Sequence, residues 1–151
     1  MVLILSGLPD PRIPCGGSEE AGEYGGALAA HLDLTGKAVT RDQALDYFGR
    51  RPDSSTIAYE LIFSPPRSWS ITWALAGPEV IQSLEACFAA AIAQTLDYVE
   101  KSLSYTRRGR NGIRQIDASI LWARFDHFSD RHERPDRHAH ILIQGPCPRL
   151  R

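Results

Sequence analysis

Four of the five histidines in this 151-residue chain fall within 14 residues: His127, His132, His138 and His140. His138 and His140 stand one residue apart at the head of an apolar run, Ala139-His140-Ile141-Leu142-Ile143. Alternate residues of a β-strand point to one face with their bases about 7 Å apart, so two imidazoles at this spacing can reach one ion. His127 ends the preceding run, where a hairpin partner would bring it alongside. Three neutral imidazoles suit Zn²⁺, Ni²⁺ or a similar Lewis acid, with positions left open for a substrate oxygen. The competing reading is a set of hydrogen-bonded surface histidines; an H-x-H pair alone is weak evidence, and the third histidine adds weight to coordination. His132 falls in a polar loop and reads as a bystander. His31, near a helix end, has no partner the sequence identifies.

The elements that must position these residues follow from periodicity. Thr56 to Phe63 reads as a strand with Ile57, Tyr59, Leu61 and Phe63 on one face and Glu60 on the other, stopped by Ser64-Pro65-Pro66. Arg67 to Leu75 mixes strand-like composition with helically spaced Trp69 and Trp73, and is read as a short helix. Gly77-Pro78 opens the clearest element. Ile81, Leu84, Phe88, Ile92, Leu96, Val99 and Leu103 recur every three or four residues, predicting an amphipathic helix to about Ser104. At 1.5 Å per residue it would be about 40 Å long, enough to cross the back of a sheet. Arg107 to Gly112 reads as a basic turn, Ile116 to Phe125 as one strand, and His138 to Gln144 as the last strand of an antiparallel hairpin. Earlier in the chain, Met1 to Leu5 reads as a first strand and residues 8–26 as loop. Ala27 to Leu32 reads as a short helix, and a capping box at Thr40-Arg41-Asp42-Gln43 predicts another through about Phe48.

The length suits a single domain over residues 1–151, and 43% apolar against 23% charged residues allows a real core. No stretch reaches the roughly 20 apolar residues of a membrane span. Three scattered cysteines without metal spacing fit a reducing cytoplasm. The net charge of −1 hides an asymmetry: residues 101–151 hold 11 Lys/Arg against 5 Asp/Glu, and residues 1–100 hold 6 against 13. Phosphate binding needs only a local basic surface, although the same clustering arises by chance on solvated faces.

Two blocks of the chain resemble the TrwC/TraI-type (MobF) conjugative relaxases of the HUH endonuclease superfamily. The first is Phe125-Asp126-His127-Phe128-Ser129-Asp130-Arg131, then Pro135, then His138-Ala139-His140. The family has a first His, an Arg four residues on, a Pro, and H-x-H at offsets of 11 and 13, as here. The second is Tyr59-Glu60-Leu61-Ile62-Phe63-Ser64-Pro65-Pro66-Arg67-Ser68-Trp69-Ser70, similar to a strand with an acidic residue followed by F-S-x-P-K-S-x-S. Arg67 stands for the usual Lys and Glu60 for the usual Asp. Weaker matches are Gly26 through Leu34, Gly36, and Glu100 with Arg107, so the resemblance spans about residues 22–144.

The resemblance implies an α+β fold, a central antiparallel sheet with helices packed on one side and H-x-H on a middle strand. It also implies metal-dependent nicking and strand transfer on single-stranded DNA at a transfer origin, with other conjugation proteins as further partners. In that chemistry a tyrosine attacks the scissile phosphate, leaving a 5′-phosphotyrosine and a free 3′-OH. His127, His138 and His140 would hold the divalent ion, commonly Mg²⁺ or Mn²⁺ in the family, a harder metal than the Zn²⁺ or Ni²⁺ that imidazoles suit. Glu60 would orient one imidazole, while Arg67, Arg107, Arg108, Arg110 and Arg131 would contact DNA. For Arg131 a surface ion pair with Asp130 or Glu133 is the alternative.

The chain departs from the family in its nucleophile. Relaxases of this type carry tyrosines ahead of the segment that begins here at Tyr24, and no tyrosine lies between Met1 and Glu23. Tyr24, where the family more often has Trp, is the one candidate. The chain also stops soon after H-x-H, so it reads as truncated at both ends, with a strand edge left open to self-association. Three expectations follow: a minimal nicking enzyme, a non-cleaving remnant that binds metal and single-stranded DNA, and, more remotely, an unrelated H-x-H hydrolase using metal-bound water.

Overall fold

A computed structural model describes residues 22–39, 47–48, 58–144 and 147–148. The expected first strand at Met1 to Leu5 and most of the helix expected over Thr40 to Phe48 lie outside the described residues. Strand β1 (Gly22–Gly25) leads into α1 (Ala27–His31) and β2 (Ala38–Val39). After β3 (Ala58–Phe63) come α2 (Arg67–Leu75) and the long α3 (Pro78–Tyr98), which continues as a π-helical turn, Val99–Leu103. The rest is strand: β4 (Tyr105–Arg108), β5 (Arg114–Ser119), β6 (Trp122–Ser129), β7 (Pro135–Gln144) and β8 (Cys147–Pro148). The main sheet has the order β2-β1-β6-β7-β3 and a smaller one the order β4-β5-β8. Every pairing is antiparallel. The H-x-H strand, β7, is therefore interior, as the resemblance implied.

Alternation along β7 sorts its residues between two cores. Ala139, Ile141 and Ile143 join Leu61 and Phe63 of β3 and Phe88, Ile92 and Leu96 of α3. Leu142 turns the other way and meets Tyr24, Ala58 and Ala123, with Leu28 and Ala29 of α1 and Phe48 closing that side. The long helix thus covers one face, as its 3.6-residue stripe predicted, and the small α1 shields part of the other. The α1 start is tied to the far end of the long helix: the Ala27 N–H donates to Glu100 Oε1 at 2.7 Å. Glu100 sits in the π-helical turn and supplies the acceptor that Gly26, without a side chain, cannot.

Three sequence readings are corrected. Residues 22–25, read as loop, form β1 between β2 and β6. Its glycines serve close approach: a Cβ on Gly25 would lie 2.1 Å from the Trp122 ring. Ile116 to Phe125, read as one strand, is two. Ile120 and Leu121 break the run: the Ile120 carbonyl accepts from Leu28 N of α1, and the Leu121 carbonyl accepts from Gln144 N at the end of β7. The basic turn is shorter than expected, since Arg107 and Arg108 belong to β4; the turn itself uses left-handed Gly109, Asn111 and Gly112.

The β6–β7 hairpin closes through Asp130. Its carboxylate accepts the backbone N–H groups of His132 and Arg134 at 2.8 and 3.1 Å and the Arg134 Nε at 2.8 Å. Burial would raise its pKa, but these hydrogen bonds outweigh burial and hold the carboxyl well below its ordinary 3.8. A carboxylate depressed in the folded state stabilises it above the unfolded value, and that contribution is lost as pH falls through the folded one. Asp130→Asn should therefore be less stable than wild type at neutral pH, with the difference narrowing as pH falls below about 4 and the acid limb of the stability–pH curve flattened, read by denaturant unfolding.

Candidate metal centre

In the β6–β7 register His127 lies directly opposite His138, and Phe125 opposite His140. The three histidines share the sheet face of Ala123 and Leu142, opposite the long helix. Their ring centroids form a near-equilateral triangle, with sides of 5.0, 4.9 and 5.1 Å. One nitrogen from each can be chosen so that all three lie within 4.8 Å of one another. Three imidazoles bound to one ion through bonds of about 2.1 Å, at angles near 100°, place their centroids about 5 Å apart. The observed triangle fits that requirement on three sides at once.

Hydrogen bonds on the outer edges fix which nitrogens point inward. His140 Nδ1 lies 2.7 Å from Glu60 Oε1, and His138 Nδ1 lies 2.8 Å from the Asp136 carbonyl oxygen. A carboxylate and a carbonyl only accept, so both Nδ1 atoms carry the proton and both Nε2 atoms keep a lone pair. Glu60 is placed by β3: Ile62 pairs with His140 and Glu60 with Leu142, which sets Glu60 diagonally beside His140 on the same face. Its side chain is buried, 5% exposed. Burial pushes the His138 imidazole below its ordinary 6.5, and neighbouring His140 and Arg137 add to this against the opposing bond to Asp136. His138 is therefore neutral at neutral pH, the form that binds metal. The donor set fits a divalent ion of borderline softness. Replacing Glu60 by Gln keeps an acceptor for His140 but removes the charge that raises ring basicity. We expect about tenfold weaker metal binding in Glu60→Gln by competition with a chromophoric chelator.

The other sequence candidates are dispersed. Arg67, in the first turn of α2, lies 3.7 Å from Asp130. Arg131 is exposed at the hairpin tip and makes no ion pair among the described residues; Asp130 pairs with Arg134 and Arg67 instead. Both arginines lie at the hairpin end of the sheet, near His127 and His138. Arg107 and Arg110 are exposed on the smaller sheet and its turn, and Arg108 lies in β4. His132 stays outside the histidine cluster. Tyr24 is also outside it. The residue pairs with Ala123, four positions along β6 from His127, or about 13 Å of strand. It is 5% exposed, edge-on to Tyr47 at 5.7 Å and stacked on Phe48 at 6.5 Å. The structure thus makes Tyr24 a core residue.

Residues 16–146 match the TrwC relaxase family. The chain belongs to that family. Among solved structures it resembles conjugative relaxase TrwC in complex with oriT DNA in a metal-bound form, at 26% identity and a TM-score of 0.66, over 82% of this chain and 47% of that one. It also resembles TrwC complexed with a 27-mer DNA comprising the recognition hairpin and the cleavage site, at 26% identity and a TM-score of 0.63, over 82% and 48%. A copper-bound TrwC–oriT complex matches at 26% identity and a TM-score of 0.63, over 83% and 46%. The chain spans about half the length of these relaxases. No curated protein matches it. No helix among the described residues is long and apolar enough to cross a membrane.

One residue at this centre escaped the sequence reading. Arg137, just before His138, is 2% exposed and faces the long helix. Burial would lower its pKa, but Glu85 and Asp126 outweigh this and raise it, so the guanidinium is a permanent buried cation. A charge at an inward position of an otherwise apolar strand was the available signal.

Proposed function

We propose that this chain binds a divalent metal ion at His127, His138 and His140 and acts in nicking and strand transfer of single-stranded DNA at a transfer origin. The observation that carries this reading is the triangle of imidazoles with Glu60 behind His140. When bound, the ion supplies positive charge at a phosphate oxygen. The chain's own residues do the positioning. Glu60 keeps the His140 proton on Nδ1, and Asp136 does the same for His138. Arg67 and Arg131, at the hairpin end of the sheet, suit contacts to the DNA backbone, and Arg107, Arg108 and Arg110 extend a basic surface onto the smaller sheet. In the reaction a phenol loses its proton and its oxygen bonds to phosphorus. The bond to the 3′-oxygen breaks, and that oxygen takes up a proton. The products are a 5′-phosphotyrosine and a free 3′-OH. The compartment that goes with this reading is the cytoplasm, and other conjugation proteins are the expected partners.

The packing of Tyr24 favours a second reading, in which the chain binds metal and single-stranded DNA without forming an adduct. Incubation with origin-containing single-stranded DNA and Mg²⁺ or Mn²⁺, followed by a denaturing gel, separates the two. A covalent species supports the enzyme; its loss in a folded Tyr24→Phe variant would assign Tyr24, and its survival would assign another tyrosine. Retention of DNA without an adduct supports the second reading, and absence of both binding and adduct contradicts both.

A further inference from the structure

Behind the three histidines, on the helix-covered face of the sheet, lies the buried guanidinium of Arg137, which the metal reading does not use. Its Nε and Nη2 donate to the two oxygens of Glu85 on α3, each at 2.9 Å. Its Nη1 lies 2.7 Å from Asp126 Oδ1 on β6. The same nitrogen donates to the main-chain carbonyls of His138 at 3.1 Å and His127 at 3.4 Å. Phe88 and Phe128 flank the guanidinium, each ring centroid 4.7 Å away. Trp73 of α2 stacks in turn on Phe128 at 5.5 Å.

Packing alone does not call for this arrangement, because an apolar side chain fills a sheet–helix core without the desolvation of a charge. The arginine does what an apolar residue cannot: with Nε and Nη2 held by Glu85, its Nη1 reaches the backbones of two histidines on different strands. The place matters. His127 and His138 pair directly, and the ladder shifts register just beyond them, between His127 and Ser129. A bulge loosens pairing locally, and Arg137 spans the strands beside it.

We propose that Arg137 is a positioning residue for the metal centre: clamped by Glu85 and Asp126, it holds the His127 and His138 backbones at the separation where their rings meet His140 over one ion. This rests on the metal reading of the histidines. Cobalt(II) titration of the untagged, chelator-treated protein, read by visible absorption, tests it. Arg137→Lys keeps the charge and loses the fork; we expect 10- to 100-fold weaker cobalt binding and an altered visible spectrum. Ile92→Val, which loosens the same core without touching the arginine, sets the effect of packing loss alone. Arg137→Lys with the affinity and spectrum of Ile92→Val would overturn the proposal. If Arg137→Lys does not fold, Glu85→Gln decides: it weakens the clamp while leaving both carbonyl bonds available, and cobalt affinity equal to wild type would overturn the proposal. A wild-type protein that binds no cobalt removes the metal reading and this inference with it, whereas tight wild-type binding with indifferent variants removes the inference alone.

Discussion

Saturating the histidine centre with a divalent ion is expected to stabilise the folded, untagged protein by about 2.7 kcal/mol at 100 times the dissociation constant, and His140→Ala is expected to abolish that gain. The reasoning is linkage: an ion that binds the assembled triangle and not the unfolded chain shifts the folding equilibrium by its own occupancy. His140 is the most telling position because its ring is held by Glu60 from a third strand, so the centre exists only when β3, β6 and β7 are paired. Three imidazoles also rank metals. Zn²⁺ and Ni²⁺ should give the same stabilisation at lower concentration than Mg²⁺ or Mn²⁺, since imidazole suits the former. Chemical denaturation with and without each metal measures this, and an equal gain in His140→Ala would place the binding elsewhere.

Arg137→Ala is expected to cost about 3 kcal/mol of stability without metal, the low end of the range for breaking a buried ion pair. The low end applies because Glu85 and Asp126 are partly hydrated, with side chains 32% and 23% exposed, while Arg137 is 3% exposed. Truncation leaves Glu85 without its partner beside an apolar cavity between Phe88 and Phe128, while Asp126 keeps Arg124 at 2.8 Å. Urea unfolding at neutral pH measures the loss. Arg137→Ala combined with Glu85→Ala should cost less than the sum of the two single changes, because the pair is removed together. A loss below about 1 kcal/mol would mean the cluster is not a buried ion pair in solution.

Much of the centre was legible because strand geometry has a period of two. His138-Ala139-His140 puts two rings on one face whatever surrounds them, and a compact turn at Asp130 makes His127 their neighbour. Alternation puts Glu60 on one strand face, but its place beside an imidazole comes only from the family resemblance, because nothing local pairs β3 with β7. The long helix showed in its stripe from Ile81 to Leu103. Other features depend on contacts that no local pattern carries. Gly22 and Gly25 read as loop because glycine punctuates turns, yet here they admit the rings of Phe125 and Trp122. Ile120-Leu121 read as strand interior because both are apolar, yet the Ile120 carbonyl is taken by Leu28 N of α1. Arg137 shares the inward face of Ala139, Ile141 and Ile143, yet no local pattern names its partner Glu85, 52 residues away. Tyr24 was singled out for its residue type, and its environment is what sets it in the core.

The central claim is that His127, His138 and His140 hold one divalent ion. Its most direct test is metal analysis of the untagged wild-type protein after equilibration with Zn²⁺ and desalting, beside His138→Ala treated identically. One ion per chain in the wild type and none in a folded His138→Ala is the predicted result; equal metal content in the two would contradict it.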